Sequence, residues 1–159
     1  MIFLYIKAIV DKIKEDYETS DPFIIAESMD IFIIKQPLGK NLRGAYQYYK
    51  RGKAIYINDD YSEASQRITC AHELGHSILH PRENTMFLRS KTFFNGGRLE
   101  IEADEFAALL LLNDEDKEVL FEYGSIRAAQ ILCVPEEFLL YKFAEYIPEQ
   151  YRRNCRRGW

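Results

Sequence analysis

Apolar residues recur at helical spacing from the start of the chain. Ile2, Ile6, Ile9, Val10, Ile13 and Tyr17 share one face, which predicts an amphipathic opening helix. Asp21-Pro22 then restarts the chain, Asp being a favoured N-cap and Pro a favoured first helical residue; a short helix is expected over 22–29. Residues 31–35 are β-branched and aromatic and read as a strand. After a loop at 37–41, residues 44–50 and 54–58 predict a hairpin turning about Arg51-Gly52-Lys53. Ser62 is placed to cap a helix that ends at Pro81. Residues 82–98 show no clear period, and Asn95-Gly96-Gly97 reads as loop. A strong helix follows over 99–112, with Leu99, Ala103, Phe106, Ala107 and Leu110 on its core side. Shorter helices are expected beyond it, capped near Asp114 and Ser125 and starting again near Pro135.

Helices, then a small antiparallel three-stranded sheet, then helices again is an α+β order rather than an alternating parallel design. No internal repeat or low-complexity segment interrupts it. The 159 residues, 47% of them apolar, suit one domain with a sizeable core. The expected organisation is a single domain over 1–159, its core at about 22–113, with 114–159 as a helical C-terminal extension.

Charge and cysteine content narrow the function classes. A net charge of −4 gives no electrostatic reason to expect nucleic-acid binding. The basic tail of Arg152, Arg153, Arg156 and Arg157 reads as a solvated end, with charge available to help dock a partner. Three cysteines, Cys70, Cys133 and Cys155, have no paired short spacing, which argues against a disulfide framework or a Cys-based metal site. Cys70 falls off the face of His72 and reads as a small buried hydrophobe. The apolar start, Met1-Ile2-Phe3-Leu4, is interrupted by Lys7, Asp11 and Lys12 before it is long enough to span a membrane. A soluble, cytoplasmic protein is expected.

Candidate chemistry is concentrated in one turn and a half of helix. All three histidines lie between His72 and His80, and His72-Glu73-Leu74-Gly75-His76 is an HExxH run. Positions i and i+4 lie one above the other on a helix, so His72 and His76 can grip one metal ion while Glu73 points near a water on it. His80 continues the series, but eight residues rise about 12 Å on a straight helix, too far to share an ion with His72. It reads instead as a helix-end histidine near the dipole's negative end. The longer HExxHxxGxxH form is absent, since Leu79 and Arg82 stand where its Gly and last His would fall.

The third ligand must come from farther along, and Glu100-Ile101-Glu102-Ala103-Asp104 offers it. Glu100 and Asp104 lie one turn apart: the first can ligate while the second accepts the free N–H of a ligand histidine. Glu102 is the rival, and helical period alone does not exclude it; the paired acid favours Glu100. Two neutral imidazoles and one carboxylate leave a Zn²⁺ ion net positive, which acidifies its water. Glu73 would take that proton and pass it to the leaving amine. Tyr46, Tyr48, Tyr56, Tyr61, His80 and Arg98 are candidates to steady the oxyanion, and the sequence does not choose among them.

The stretch from Arg67 through His80 resembles the active-site helix of the ImmA/IrrE family of metallopeptidases. The likeness extends upstream to 22–29, 44–46 and 54–58, and downstream through Glu100-Ile101-Glu102-Ala103-Asp104-Glu105-Phe106 to Leu111. It implies zinc on His72, His76 and Glu100, with Glu73 as general acid/base. Family members commonly carry Asn where this chain has Asp104, which brings it nearer the gluzincin pattern. The Met-Pro that often ends the glutamate helix is missing here, where the chain reads Leu111-Leu112-Asn113-Asp114. The resemblance further implies a zinc-dependent protease of bacterial, phage or mobile-element origin that cleaves a specific transcriptional repressor of helix-turn-helix type. Two other readings remain: a regulator that binds a partner without cleaving it, zinc being structural or modulatory, and a metal-free helical scaffold. The segment 125–146 is faintly like a helix-turn-helix but lacks a basic recognition face, so no direct nucleic-acid contact is expected.

Overall fold

The computed structural model describes residues 2–85 and 96–147. Most of the unpatterned stretch after Pro81, Asn95, and the basic tail with Cys155 lie outside them. Helix α1 (Ile2–Tyr17) buries Ile6, Val10 and Ile13. Helix α2 (Pro22–Ser28) starts as expected: the Asp21 carboxylate accepts from the backbone N–H groups of Phe23 and Ile24, and Pro22 opens the first turn. Strands β1 (Ile31–Gln36), β2 (Gly44–Tyr49) and β3 (Gly52–Asn58) follow, then helix α3 (Glu63–Leu79), capped by Ser62, and helix α4 (Gly96–Leu111). The fold is α+β.

The sheet departs from expectation. It is mixed, not antiparallel, with order β1-β3-β2. β2 and β3 form the antiparallel hairpin, but β1 runs parallel to β3, Ile33 opposite Ile55. The chain leaves β1 and crosses the end of β3 before turning back into the central slot. Asn58, the last residue of β3, pins that crossing, donating from Nδ2 to the carbonyls of Gly39 and Leu42, both at 2.8 Å. The centre falls to β3 because Ile55 and Ile57 give it a fully buried row. Alternation along a strand specifies which face is buried, not which neighbour it pairs with or in which direction.

The hairpin turn is also displaced. Tyr49 pairs with Gly52, leaving Lys50 (φ 46°) and Arg51 (φ 69°) as a two-residue loop. Two positive φ values give a primed turn, whose twist matches the flanking strands. Gly52 thus belongs to the strand rather than the turn. Helix α4 begins at Gly96, so Gly96 and Gly97 are helical rather than loop.

The chain divides into two compact units, 1–111 and 112–159. In the first, α3 packs on the β2–β3 hairpin and on α2, and α4 packs on α3 and α1. Gly75 permits the α3–α4 approach: a Cβ there would lie 3.1 Å from Phe106 Cδ1 and 3.2 Å from the Ala103 carbonyl. Gly44 does the same for β2, where a Cβ would overlap Thr69 and the Tyr56 carbonyl. In the second unit, a 3-10 turn (Asp114–Asp116) leads into helix α5 (Lys117–Leu132), which breaks at Gly124 (φ 74°) and restarts at Ser125. Helix α6 (Glu136–Lys142) begins after Pro135. Leu120, Ala128, Phe138, Leu139 and Phe143 are buried there. No helix among the described residues is long and apolar enough to cross a membrane.

Candidate metal centre

Helix α3 turns the HExxH spacing into geometry. His72 and His76 sit one turn apart with their Nε2 atoms 3.1 Å from each other. The close α3–α4 packing brings Glu100 over them: Oε2 is 3.3 Å from His72 Nε2 and Oε1 is 3.3 Å from His76 Nε2. Ligands about 2.0–2.1 Å from a tetrahedral zinc ion would be separated from one another by about 3.3 Å, the spacing that each imidazole nitrogen keeps from one oxygen of the carboxylate.

The hydrogen bonds on the far side of each ring sharpen this. His72 Nδ1 lies 2.7 Å from Asp104 Oδ1 and His76 Nδ1 lies 3.1 Å from His80 Nδ1. With the hydrogens on those Nδ1 atoms, both Nε2 lone pairs point at each other and at a carboxylate. Three electron pairs so converged repel unless a proton or a metal cation sits among them. The donor set of two imidazoles and a carboxylate therefore fits a zinc-type ion, leaving a fourth position for water or substrate.

The electrostatics agree. Burial opposes a charged His72, but hydrogen bonds to Asp104 and Glu100 outweigh it, and the ring is pushed up to about 10. Burial likewise opposes an ionised Glu100, yet hydrogen bonds from His72 and His76 hold its carboxyl well below the usual range. The pocket favours positive charge at its centre. Glu73 contributes to that field and is itself fully buried.

Glu102 is directed elsewhere. Its Oε2 lies 2.8 Å from His80 Nε2, and Oε1 accepts from Arg98 Nε at 2.7 Å. His80 does stand at the C-cap of α3, as expected, but its ring is tied to His76 and Glu102 rather than left to the helix dipole alone. The i+4 spacing from His76 already placed the two rings on one stripe. What it lacked was a partner on α4, which only tertiary packing supplies.

Thr85 had no signal in the sequence at all. It is fully buried, and its hydroxyl donates to Glu73 Oε2 at 2.9 Å while accepting from the Tyr46 N–H at 2.7 Å. Beside it, Asn84 Oδ1 accepts from the Tyr48 N–H. The two side chains thus cap the outer edge of β2, and Thr85 also reaches the carboxylate of the HExxH glutamate. Of the oxyanion candidates, Tyr46, Tyr56 and Tyr61 direct their hydroxyls to Pro81 O, Gln47 Oε1 and Lys40 O. Cys70 is buried off the ligand face, and burial pushes its thiol up.

Known proteins match most of this chain. The profile of the IrrE N-terminal-like domain, a peptidase family, matches residues 26–144. The chain is 41% identical over 112 residues to "Uncharacterized immunity region protein 2" of Bacillus phage phi105, covering 70% of this chain and 71% of that protein. It is 31% identical over 119 residues to "Metallopeptidase ImmA" of Bacillus subtilis (strain 168), covering 72% and 70%. A profile match across most of the chain, together with relatives this similar, identifies it as a member of the IrrE N-terminal-like family of metallopeptidases.

Proposed function

We propose that the chain is a zinc-dependent endopeptidase that cleaves one protein partner, a helix-turn-helix transcriptional repressor of a phage or mobile element, in the cytoplasm. His72, His76 and Glu100 are the metal ligands and Glu73 is the general acid/base. The observation that carries this reading is the convergence of three ligand atoms within 4.8 Å of one another, with Glu73 on the same helical turn. Zinc, rather than a harder cation, suits a site with two imidazoles. Residues 1–159 act as one metallopeptidase domain, the core over 22–113 carrying the site and 114–159 serving as the extension.

Zinc bound there supplies Lewis acidity, acidifying a water and polarising the scissile carbonyl. The rest belongs to the chain. Asp104 accepts the His72 Nδ1–H and holds that ring with its lone pair inward. Glu73 takes the proton from the attacking water as the C–O bond to the scissile carbon forms, and returns it to the amide nitrogen as the C–N bond then breaks. Thr85 donates to one oxygen of Glu73, which helps fix the orientation of the carboxylate. The name of the phage relative as an immunity region protein supports a repressor as the target.

The test is direct. Zinc-loaded protein mixed with the repressor encoded beside its gene should yield two defined fragments by gel and mass spectrometry. Glu73→Gln should retain zinc at full stoichiometry and lose at least about 100-fold in cleavage rate. The complete burial of Glu73 beneath Thr85 favours a second reading, in which the protein binds its partner without cutting it. Full derepression by Glu73→Gln in cells, with no fragments from either protein, would establish that alternative.

A further inference from the structure

We propose that His80 and Glu102 are positioning residues for the metal site, forming a relay that fixes the tautomer and orientation of His76. The inference rests on the reading of His76 as a ligand. Its basis is the hydrogen-bond logic of three side chains in series.

A neutral imidazole has one N–H and one lone pair. His76 presents Nε2 to His72 and Glu100, at 3.1 and 3.3 Å. If Nε2 gives its lone pair to a cation, the hydrogen must sit on Nδ1, and Nδ1 must find an acceptor. Its neighbour is His80 Nδ1, 3.1 Å away. Two facing nitrogens make a hydrogen bond only if one is bare. His80 Nδ1 must therefore be the acceptor, and the His80 hydrogen must be on Nε2. That nitrogen lies 2.8 Å from Glu102 Oε2, and an ionised carboxylate accepts and never donates. Arg98 Nε donates to the other oxygen, Oε1, at 2.7 Å, and holds the carboxylate in place.

Each link admits one assignment once the first is made. Without an acceptor at Glu102, His80 is free to carry its hydrogen on Nδ1 instead. That arrangement places two N–H groups, or a donor and a wrongly loaded ring, between His76 and His80. It drives the His76 hydrogen toward Nε2, the atom the cation needs. Glu102 thus acts on the metal site from two rings away without touching it. His72 has the direct version of the same device, its Nδ1 lying 2.7 Å from Asp104 Oδ1. Three of the four acids of helix α4 consequently have distinct tasks: Glu100 to the lone pairs, Asp104 to one ring, and Glu102 to the other through His80. The side chains of His76 and His80 are both buried, so water is poorly placed to replace the lost partner.

The test measures metal affinity in the full chain by competition with a chromophoric chelator. The visible spectrum of the cobalt-substituted protein gives a second readout. Glu102→Ala and His80→Ala should bind zinc about 10–100-fold more weakly than the parent, with an altered cobalt ligand-field band. His80→Gln keeps an amide oxygen to accept the His76 Nδ1–H and should recover much of the loss. Thermal melts of the metal-free proteins separate a folding defect from a binding defect. Should His80→Ala fold poorly, Glu102→Ala, at the solvent edge of the relay, carries the test. Parent-like zinc affinity and cobalt spectrum in Glu102→Ala and His80→Ala, whatever their melting temperatures, would reduce the relay to a structural contact and overturn the inference. If the parent itself failed to bind zinc, or His76→Ala bound it equally well, the underlying metal reading would fall and the relay with it.

Discussion

At the residue scale, the site is defined by where hydrogens are allowed to be. In the metal-free chain His72 is pushed up to about 10, against an ordinary value of 6.5, by hydrogen bonds to Asp104 and Glu100 that outweigh burial. Because its folded value is raised, the ring holds a proton throughout the neutral range, and a cation must displace it to reach the same lone pair. Zinc affinity should therefore increase with pH, by about tenfold per unit between about pH 7 and 9, and level off only once the ring is deprotonated unaided. Chelator competition across that range in non-coordinating buffers measures the slope; a flat profile would mean that His72 is not the proton-bearing ligand. The histidine pair and Glu73 were legible in the sequence because a helix converts a four-residue spacing into a shared face. The choice between Glu100 and Glu102 was not settled by period. The folded chain adds His80, which engages Glu102 while Glu100 lies beside the histidine pair. Thr85 was illegible because its two partners, Glu73 and the Tyr46 backbone, belong to elements that meet it only in the folded chain.

At the element scale, the site depends on two helices approaching more closely than side chains ordinarily allow. Gly75 lies inside the HExxH run, and a Cβ there would meet Phe106 and the Ala103 carbonyl at 3.1–3.2 Å. Phe106 is fully buried, and the carbonyl is backbone, so neither yields easily. Gly75→Ala gains about 1 kcal/mol of helix propensity, but overpacking a tight contact costs about 1–3 kcal/mol. The cost is the larger effect. Helix α4 should shift outward by a few tenths of an ångström, taking with it Glu100, one turn before Ala103. The variant should melt lower than the parent and bind zinc more weakly, read by thermal denaturation and by competition. Lower stability with unchanged affinity would show that α4 accommodates the methyl without moving Glu100. The helices themselves were readable from apolar period and caps, Asp21 and Ser62 among them. The sheet was read less well. β1 pairs parallel with β3 because the chain crosses over and returns, and neither the crossing nor the tie made by Asn58 leaves a mark in strand alternation. Gly52 attracted the predicted turn, whereas the register gives the turn to Lys50 and Arg51.

At the scale of the whole molecule, every residue assigned to the site falls in the first compact unit, 1–111, although the family match runs on to residue 144. A cation held by His72 and His76 on α3 and by Glu100 on α4 would join two helices through ligands at least 24 positions apart in sequence. Such a link stabilises whatever must open to release the ion. For free zinc at about 100 times its dissociation constant, that stabilisation is about 2.7 kcal/mol, or about a hundredfold in an opening equilibrium. Amide hydrogen exchange on the full chain should show it as slowed exchange in α3 and α4 on adding zinc, reversed by chelator and absent in His76→Ala. Helices α5 and α6 hold none of the proposed ligands. If the two compact units are also separate energetic units, exchange in α5 and α6 should change little under the same conditions. Equal protection of α5 and α3 would instead show that 112–159 opens only with the metal-bearing part, and that the boundary in contacts is not a boundary in cooperativity.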